Sequence, residues 1–324
     1  MMSRRGCVLA GVLAVAVIGA LWSFLGGWYG SGPLARDQHF VVPNGASLGT
    51  IADRLQEKGV IRSASGFTLR ARVFGGGGGI KAGEFAIPAH ASASRVLAII
   101  SSDDFVRRLV TVPEGMPSIM VYERLKAQTA LTGDVASPAE GSVLPDSYPI
   151  ESGETREAVL RRMQAAMSRT VKELWDKRAP NLVVKTPEQA VILASIVEKE
   201  TGKPSERRMV AGLYSNRLRT GMLLQADPTI IYPITKGKRL GRRILQSEIQ
   251  AVNDYNTYTM VGLPKHPITN PGRESIAAVL NPAKTDALYM VADGTGGHAF
   301  ADTLAEHNSN VAKWFAIRRE RGEL

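Results

Sequence analysis

Thr186-Pro187-Glu188-Gln189-Ala190-Val191-Ile192-Leu193-Ala194-Ser195-Ile196-Val197-Glu198-Lys199-Glu200-Thr201 is the stretch on which the reading of this chain turns. It opens as a helix. Thr186 can cap, Pro187 suits the first helical position, and Gln189 can reach back as a capping box. Ala190, Val191, Ile192, Leu193, Ala194, Ile196 and Val197 then put apolar groups on nearly every face, the mark of a helix buried inside a domain. Glu198 is carried into that environment, stacked over Val191 and Ala194 at helical spacing. Desolvation there favours the neutral acid, the form that protonates a leaving group. Glu200 points about 200 degrees away around the helix, so the two carboxyls cannot form one simple pair, and one of them is expected to be structural. The plainer alternative makes Glu198 a helix-end charge paired with Lys199, Lys203 or a nearby arginine.

Downstream follow Ser215-Asn216-Arg217, Gln225-Ala226-Asp227-Pro228-Thr229, Tyr232, Asn253 to Tyr258, and Asn270-Pro271-Gly272. Tyrosine faces stack on pyranose rings, while amides and carboxylates hold hydroxyl and acetamido groups, so this collection beside one acid suits a saccharide cleft. The plainer alternative is that some of these residues are turn and cap formers.

Upstream, residues 135–185 read as mostly helical, best over 156–166 and 171–175. Before them the chain repeats a strand-turn-helix unit. Phe40-Val41-Val42-Pro43-Asn44-Gly45 precedes Leu48, Ile51, Ala52 and Leu55, and Val110-Thr111-Val112-Pro113-Glu114-Gly115 precedes Ile119, Tyr122 and Leu125. Between the copies lie a helix over 67–73, a loop over 75–79, a strand over 84–87 and an apolar helix over 95–100, the makings of a small α+β module. Two motifs here are decoys. The five glycines at 75–79 lack the Gly-Lys-Ser/Thr of a phosphate loop. Gly45-Ala46-Ser47-Leu48-Gly49 matches the hydrolase elbow, but the unit is too small for that sheet, and Ser47 reads as a helix cap.

At the N-terminus, residues 7–28 are 22 positions without charge, enough at about 1.5 Å per residue to cross a bilayer core of roughly 30 Å. Arg4 and Arg5 precede the run, which keeps that end cytoplasmic and exports the rest. No small-x-small site follows directly, which favours a retained anchor over a cleaved signal, and Cys7 opens the run instead of closing it, unlike a lipoprotein. Cys7 is the only cysteine, so an internal disulfide is ruled out. The formal charge of +10, from 40 Lys and Arg against 30 Asp and Glu, suggests an anionic neighbour. No Cys/His cluster, aromatic RNA-binding pattern or long basic run makes that neighbour a nucleic acid. The histidines His39, His90, His266, His298 and His307 lie far apart, so no metal is expected.

The motifs 193–201, Asn216-Arg217-Leu218, 224–229, Tyr255-Asn256-Thr257-Tyr258, Gly262-Leu263-Pro264 and 291–298 resemble, in order, those of the endolytic murein transglycosylase (YceG-like) family. The resemblance covers nearly everything from residue 40 onward. It implies an α+β chain with a cytoplasmic N-terminus (1–6), a transmembrane anchor (7–28), a small LysM-like α+β module (38–104) and a larger mixed α/β catalytic domain (105–324). It implies a periplasmic lytic transglycosylase on the inner membrane, cutting nascent peptidoglycan between N-acetylmuramic acid and N-acetylglucosamine without cofactor, with peptidoglycan synthases (penicillin-binding proteins) as partners. The first Glu of Glu-Lys-Glu-Thr, here Glu198, would be catalytic. Asn216, Gln225, Asp227, Tyr255, Asn256 and Glu200 are the candidate substrate-binding residues. The absence of a second obvious carboxylate beside Glu198 fits a lyase better than a hydrolase, which needs two. A non-catalytic peptidoglycan-binding scaffold for the synthases is the alternative. The segments 75–79 and 235–243 look individual to this chain.

Overall fold

The computed structural model describes residues 4–75, 79–106 and 108–323, and for residues 4–10 the backbone only. The middle of the glycine run thus lies outside the described residues, as does the side chain of Cys7. The chain divides into two compact units, Met1–Arg108 and Leu109–Leu324.

The first unit begins with α1 (Arg4–Tyr29), whose segment Gly11–Tyr29 is long and apolar enough to cross a membrane. Val12, Leu13, Val15, Ile18, Leu21 and Trp22 are exposed along it. Among the described residues only its last turns join a core: Trp28 is buried against Phe67 and Phe74, and Arg70 donates to the Phe24 carbonyl at 2.8 Å. Then come β1 (Gln38–Val42), α2 (Leu48–Glu57), α3 (Ala64–Phe74), β2 (Gly83–Ile87) and α4 (Ala93–Ile100). β1 and β2 pair antiparallel with Phe40 opposite Phe85, and their inward faces close on Ile51, Leu55, Val96 and Ile100. Ser47 caps α2 by accepting the Thr50 N–H, a structural use that leaves nothing of the hydrolase elbow.

At the junction β3 (Arg108–Thr111) leads to α5 (Ser118–Lys126), and β3 pairs with β4 (Ser147–Ile150). The strand-turn-helix repeat is real in both copies, and each turn is closed by a left-handed glycine: Gly45 at φ 73° and Gly115 at φ 70°, the backbone a type II turn demands of its third residue. In the second copy that turn carries Glu114. Residues 135–155 and 177–185 depart from the helical expectation; Pro138, Gly141, Pro145 and Pro149 interrupt any helical period in the first stretch, and Pro180 in the second. Helix forms only from α6 (Arg156–Asp176). The rest of the second unit is α7 (Pro187–Glu200), a 3₁₀ turn (Pro204–Glu206), α8 (Arg207–Thr220), α9 (Asp227–Thr235), α10 (Gln246–Ile249), α11 (Arg273–Leu280), the hairpin β5 (Tyr289–Ala292) and β6 (His298–Ala301), and α12 (Leu304–Glu320).

α7 is the axis of this core. Ala190, Leu193, Ala194, Ile196 and Val197 have no exposed surface, and they pack among Val210, Leu213 and Tyr214 of α8 and Ile276 and Val279 of α11. Removing that much apolar side chain from water stabilises by about 1.5–3 kcal/mol for each large residue. The cap predicted at Thr186 forms, with Gln189 N–H donated to its hydroxyl at 3.2 Å.

Candidate active site

The C-terminal end of α7 delivers Glu198 to a crossing of two loops. Its side chain is only 5% exposed, but what surrounds the carboxyl is polar. Gly272, the N-cap of α11, donates its N–H to Oε2 at 2.9 Å, and Arg207 Nη2 stands 3.8 Å from Oε1. The same Nη2 lies 2.7 Å from Oε2 of Glu114, so the two carboxylates share one guanidinium nitrogen. These legs of 2.7 and 3.8 Å cap the separation of the two oxygens at about 6.5 Å. A Cβ at Gly272 would overlap the Glu114 carboxylate, so that glycine is small to admit it, whereas Gly115 is favoured by its positive φ, a Cβ there making only ordinary contact with Cγ of Glu198. Arg207 itself is 11% exposed, and its Nε is buried with no partner among the described residues.

The expectation of a lone carboxylate is therefore corrected. Glu114 comes from the repeated turn, and nothing in its local sequence separates it from Asn44 in the first copy. The ion-pair partner is Arg207, not Lys199 or Lys203.

The other face of the loop crossing carries a third carboxyl. Asn270, fully buried, braces the loops by donating to the Met116 carbonyl and accepting from Val143 N–H. Beside it Glu140 Oε1 accepts the Ser118 N–H at 2.8 Å. Burial pushes the Glu140 carboxyl up to about 7, against the Ser118 donors, the Tyr232 hydroxyl and the charge of Lys199. Tyr232 packs on Tyr255 with ring centroids 4.9 Å apart, both half-buried. Glu140 also lines a cavity of about 580 Å³ with Trp175, Val191, His266 and Pro267.

Glu200, Gln225 and Asp227 gather elsewhere, around a cavity of about 240 Å³ with Tyr214, Arg217 and His298. Glu198 lines neither cavity. Burial raises the Glu200 carboxyl to about 7, the negative Asp227 adds to the effect, and Tyr214 and Arg217 oppose it. Asp227 accepts from the Tyr258 hydroxyl at 2.6 Å, and Gln225 sits in a left-handed backbone at φ 50°. His298 is held at its Nδ1 by Glu206 at 2.9 Å. The amides of Asn216 and Asn256 are directed at backbone: Asn216 Nδ2 donates to the carbonyls of Thr285 and Ala287, and the fully buried Asn256 donates to those of Ile249 and Ala251. Of the seven candidate residues, the structure thus places Glu198 at the arginine corner, Tyr255 near Glu140, three in the smaller cavity and two in bracing positions. Arg207, Glu114 and Glu140 join them unforeseen; Glu114 and Glu140 each precede a glycine held at positive φ, Gly115 at 70° and Gly141 at 75°.

A sequence profile of the YceG-like family matches residues 40–313. The chain belongs to the YceG-like family. An endolytic murein transglycosylase of Bacillus subtilis is 27% identical over 313 residues, covering 86% of this chain and 85% of that protein. One from Streptococcus pneumoniae is 35% identical over 181 residues, 54% of this chain and 32% of the longer relative. The crystal structure of a YceG-like protein from Listeria monocytogenes superposes with a TM-score of 0.54 at 24% identity over 85% of this chain and 98% of that one, a likeness of fold. The arginine corner, the tyrosine pair and the buried carboxyl cavity all lie within the span that the YceG-like profile covers.

Proposed function

We propose that this YceG-like chain is a membrane-anchored peptidoglycan lytic transglycosylase with Glu198 as its catalytic acid and base. The observation that carries the assignment is the seat of Glu198, a buried carboxyl at the end of the core helix, held by a backbone N–H and facing a guanidinium, in a chain whose relatives bear the transglycosylase name. The acid gives its proton to the bridging oxygen as the bond to C1 of N-acetylmuramic acid breaks and the sugar gains oxocarbenium character. The carboxylate then takes the proton of the C6 hydroxyl, whose oxygen closes on C1. The product is a 1,6-anhydro end and no water is consumed. Arg207 and Gly272 N–H fix the carboxyl through both half-reactions, and the tyrosine pair offers ring faces for sugar stacking.

The strand-helix-helix-strand order of β1, α2, α3 and β2 supports a LysM-like glycan-binding role for the first unit. α1 serves as a single-pass anchor in the inner membrane, with the catalytic unit in the periplasm and peptidoglycan synthases as neighbours. Endolytic cutting follows the relatives' name. The test is Glu198→Gln with mass spectrometry of products from purified glycan. Wild type should release anhydro-ended fragments and the variant should not; continued release by the variant would falsify the assignment.

Hydrolysis is the second reading, and Glu114 is the observation that favours it. Its separation from Glu198, at most about 6.5 Å through their shared arginine nitrogen, admits the roughly 5–5.5 Å of retaining glycosidases. A hydrolase would leave fragments heavier by one water, and Glu114→Gln would abolish them.

A further inference from the structure

The loop after α9 carries Lys236, Lys238, Arg239, Arg242 and Arg243. Two of these cations are matched: Lys238 Nζ lies 2.6 Å from Glu123 Oε1, and Arg242 Nη1 lies 2.9 Å from Glu248 Oε2. Lys236, Arg239 and Arg243 are exposed and have no carboxylate partner among the described residues. The loop is fixed at its root. Lys236, at φ 54°, returns its N–H to the Tyr232 carbonyl at 2.8 Å. Thr235 Oγ1 donates to the Lys238 carbonyl at 2.7 Å. Gly237, at φ 83°, lies so close to Pro117 and the Ile268 carbonyl that a Cβ would come within 2.7 Å of the proline. Pro117 precedes Ser118, whose N–H holds Glu140, and Tyr232 is one of the stacked tyrosines. The unmatched cations therefore rise from the rim of the tyrosine and Glu140 corner.

Unmatched cations on one short loop repel one another, and an anion bound by them relieves the repulsion. A guanidinium suits a carboxylate, which it can grip with two parallel hydrogen bonds. On the transglycosylase reading, the polymer passing this rim carries short stem peptides on its muramic acid residues, with acidic side chains and a free C-terminus. We infer that Lys236, Arg239 and Arg243 form a binding site for the carboxylates of those stem peptides, so that peptide-bearing strands are taken in preference to stripped ones. The site lies on the loop that looks individual to this chain and sets substrate preference, leaving the chemistry to the corner at Glu198.

The test uses the full chain in detergent and the triple variant K236A/R239A/R243A, on glycan strands of matched length with their peptides and after amidase has removed them. On peptide-bearing strands the triple variant should raise KM about five- to tenfold with kcat unchanged, since exposed pairs contribute singly little, and stripped strands should be cut as by wild type. A second arm measures binding of a fluorescent peptide-bearing disaccharide to the E198Q chain. Affinity should fall by the same factor in the quadruple variant, weaken with salt, and return only in part with K236R/R239K/R243K, since lysine keeps the charge and loses the two-pronged grip. Equal KM changes on both strands, or no change on either, overturn the inference. So does loss of binding to phosphatidylglycerol vesicles with muropeptide binding intact, which would make the loop a lipid contact. If wild type cuts neither strand, the transglycosylase reading fails, and the binding arm still decides the loop: a muropeptide bound without regard to the cations overturns it.

Discussion

Glu198 and Glu200 stand two residues apart on one helix and occupy opposite chemical settings. Glu198 turns toward the loop crossing, where a backbone N–H and a guanidinium converge on it and Glu114 shares the same arginine. Glu200 turns toward α8 and α9, where burial and the neighbouring Asp227 lift it to about 7. Desolvation thus raises the carboxyl at position 200. Burial by itself does not nominate a catalytic acid: the helix buries both, and the donors brought by distant segments distinguish them.

The largest effect that sharpens this comparison is on turnover. Glu198→Gln should lower kcat by roughly a thousandfold, within the usual reach of a general acid, while its melting temperature stays within a degree or two of wild type, because the amide oxygen still accepts the Gly272 N–H. Glu200→Gln should keep most of the activity. Comparable losses in the two variants would dissolve the distinction. Next in size is Arg207→Ala. It strands two carboxylates at one corner, and breaking a buried ion pair on one side costs about 3–5 kcal/mol; because Glu114 is 43% exposed, we expect the lower end, about 3 kcal/mol. Urea unfolding measures it, with Arg207→Lys recovering part. A variant as stable as wild type would mean that the arginine does not hold the corner.

What the sequence disclosed was what local rules encode. α7 was legible because its cap, its proline and its apolar run agree, and the repeated turn was legible because Gly45 and Gly115 recur in step. The corner was not, since the pairing of Arg207 with Glu114 spans 93 positions and that of Gly272 with Glu198 spans 74. No periodicity reports such meetings. Residues 135–155 misled because apolar side chains spaced among prolines resemble a weak helix until the missing N–H groups are counted. Asn216 and Asn256 show the other limit: an amide that holds a loop and one that holds a sugar are the same letter, and only their carbonyl partners tell them apart.

Glu200 also makes the stability of the fold depend on pH. Its folded carboxyl titrates near 7 against an ordinary value of 4.5, so between those pH values the folded protein holds a proton that the unfolded chain has released. That contribution is fully present below about pH 4.5 and is lost as pH rises through 7, by at most about 3 kcal/mol. Glu200→Gln does not titrate. Its melting temperature relative to wild type should therefore climb between pH 4.5 and 7 and level off above. A flat difference across that window would remove Glu200 from its buried role and with it half of the contrast with Glu198.

The smallest effect concerns the residues that meet neither glutamate. Tyr232 and Tyr255 pack at 4.9 Å beside Glu140, and an aromatic contact of this kind is worth about 1 kcal/mol beyond its area. Tyr255→Ala should raise KM for glycan about fivefold with kcat nearly unchanged, and Tyr255→Phe should be close to wild type, because the ring and not the hydroxyl makes the surface. The double variant with Tyr232→Ala should lose less than the sum of the single losses, since each ring positions the other. If instead kcat falls with KM unmoved, the tyrosines serve the corner at Glu198 and not the path of the sugar, and the division of labour between the two faces of the loop crossing would have to be redrawn.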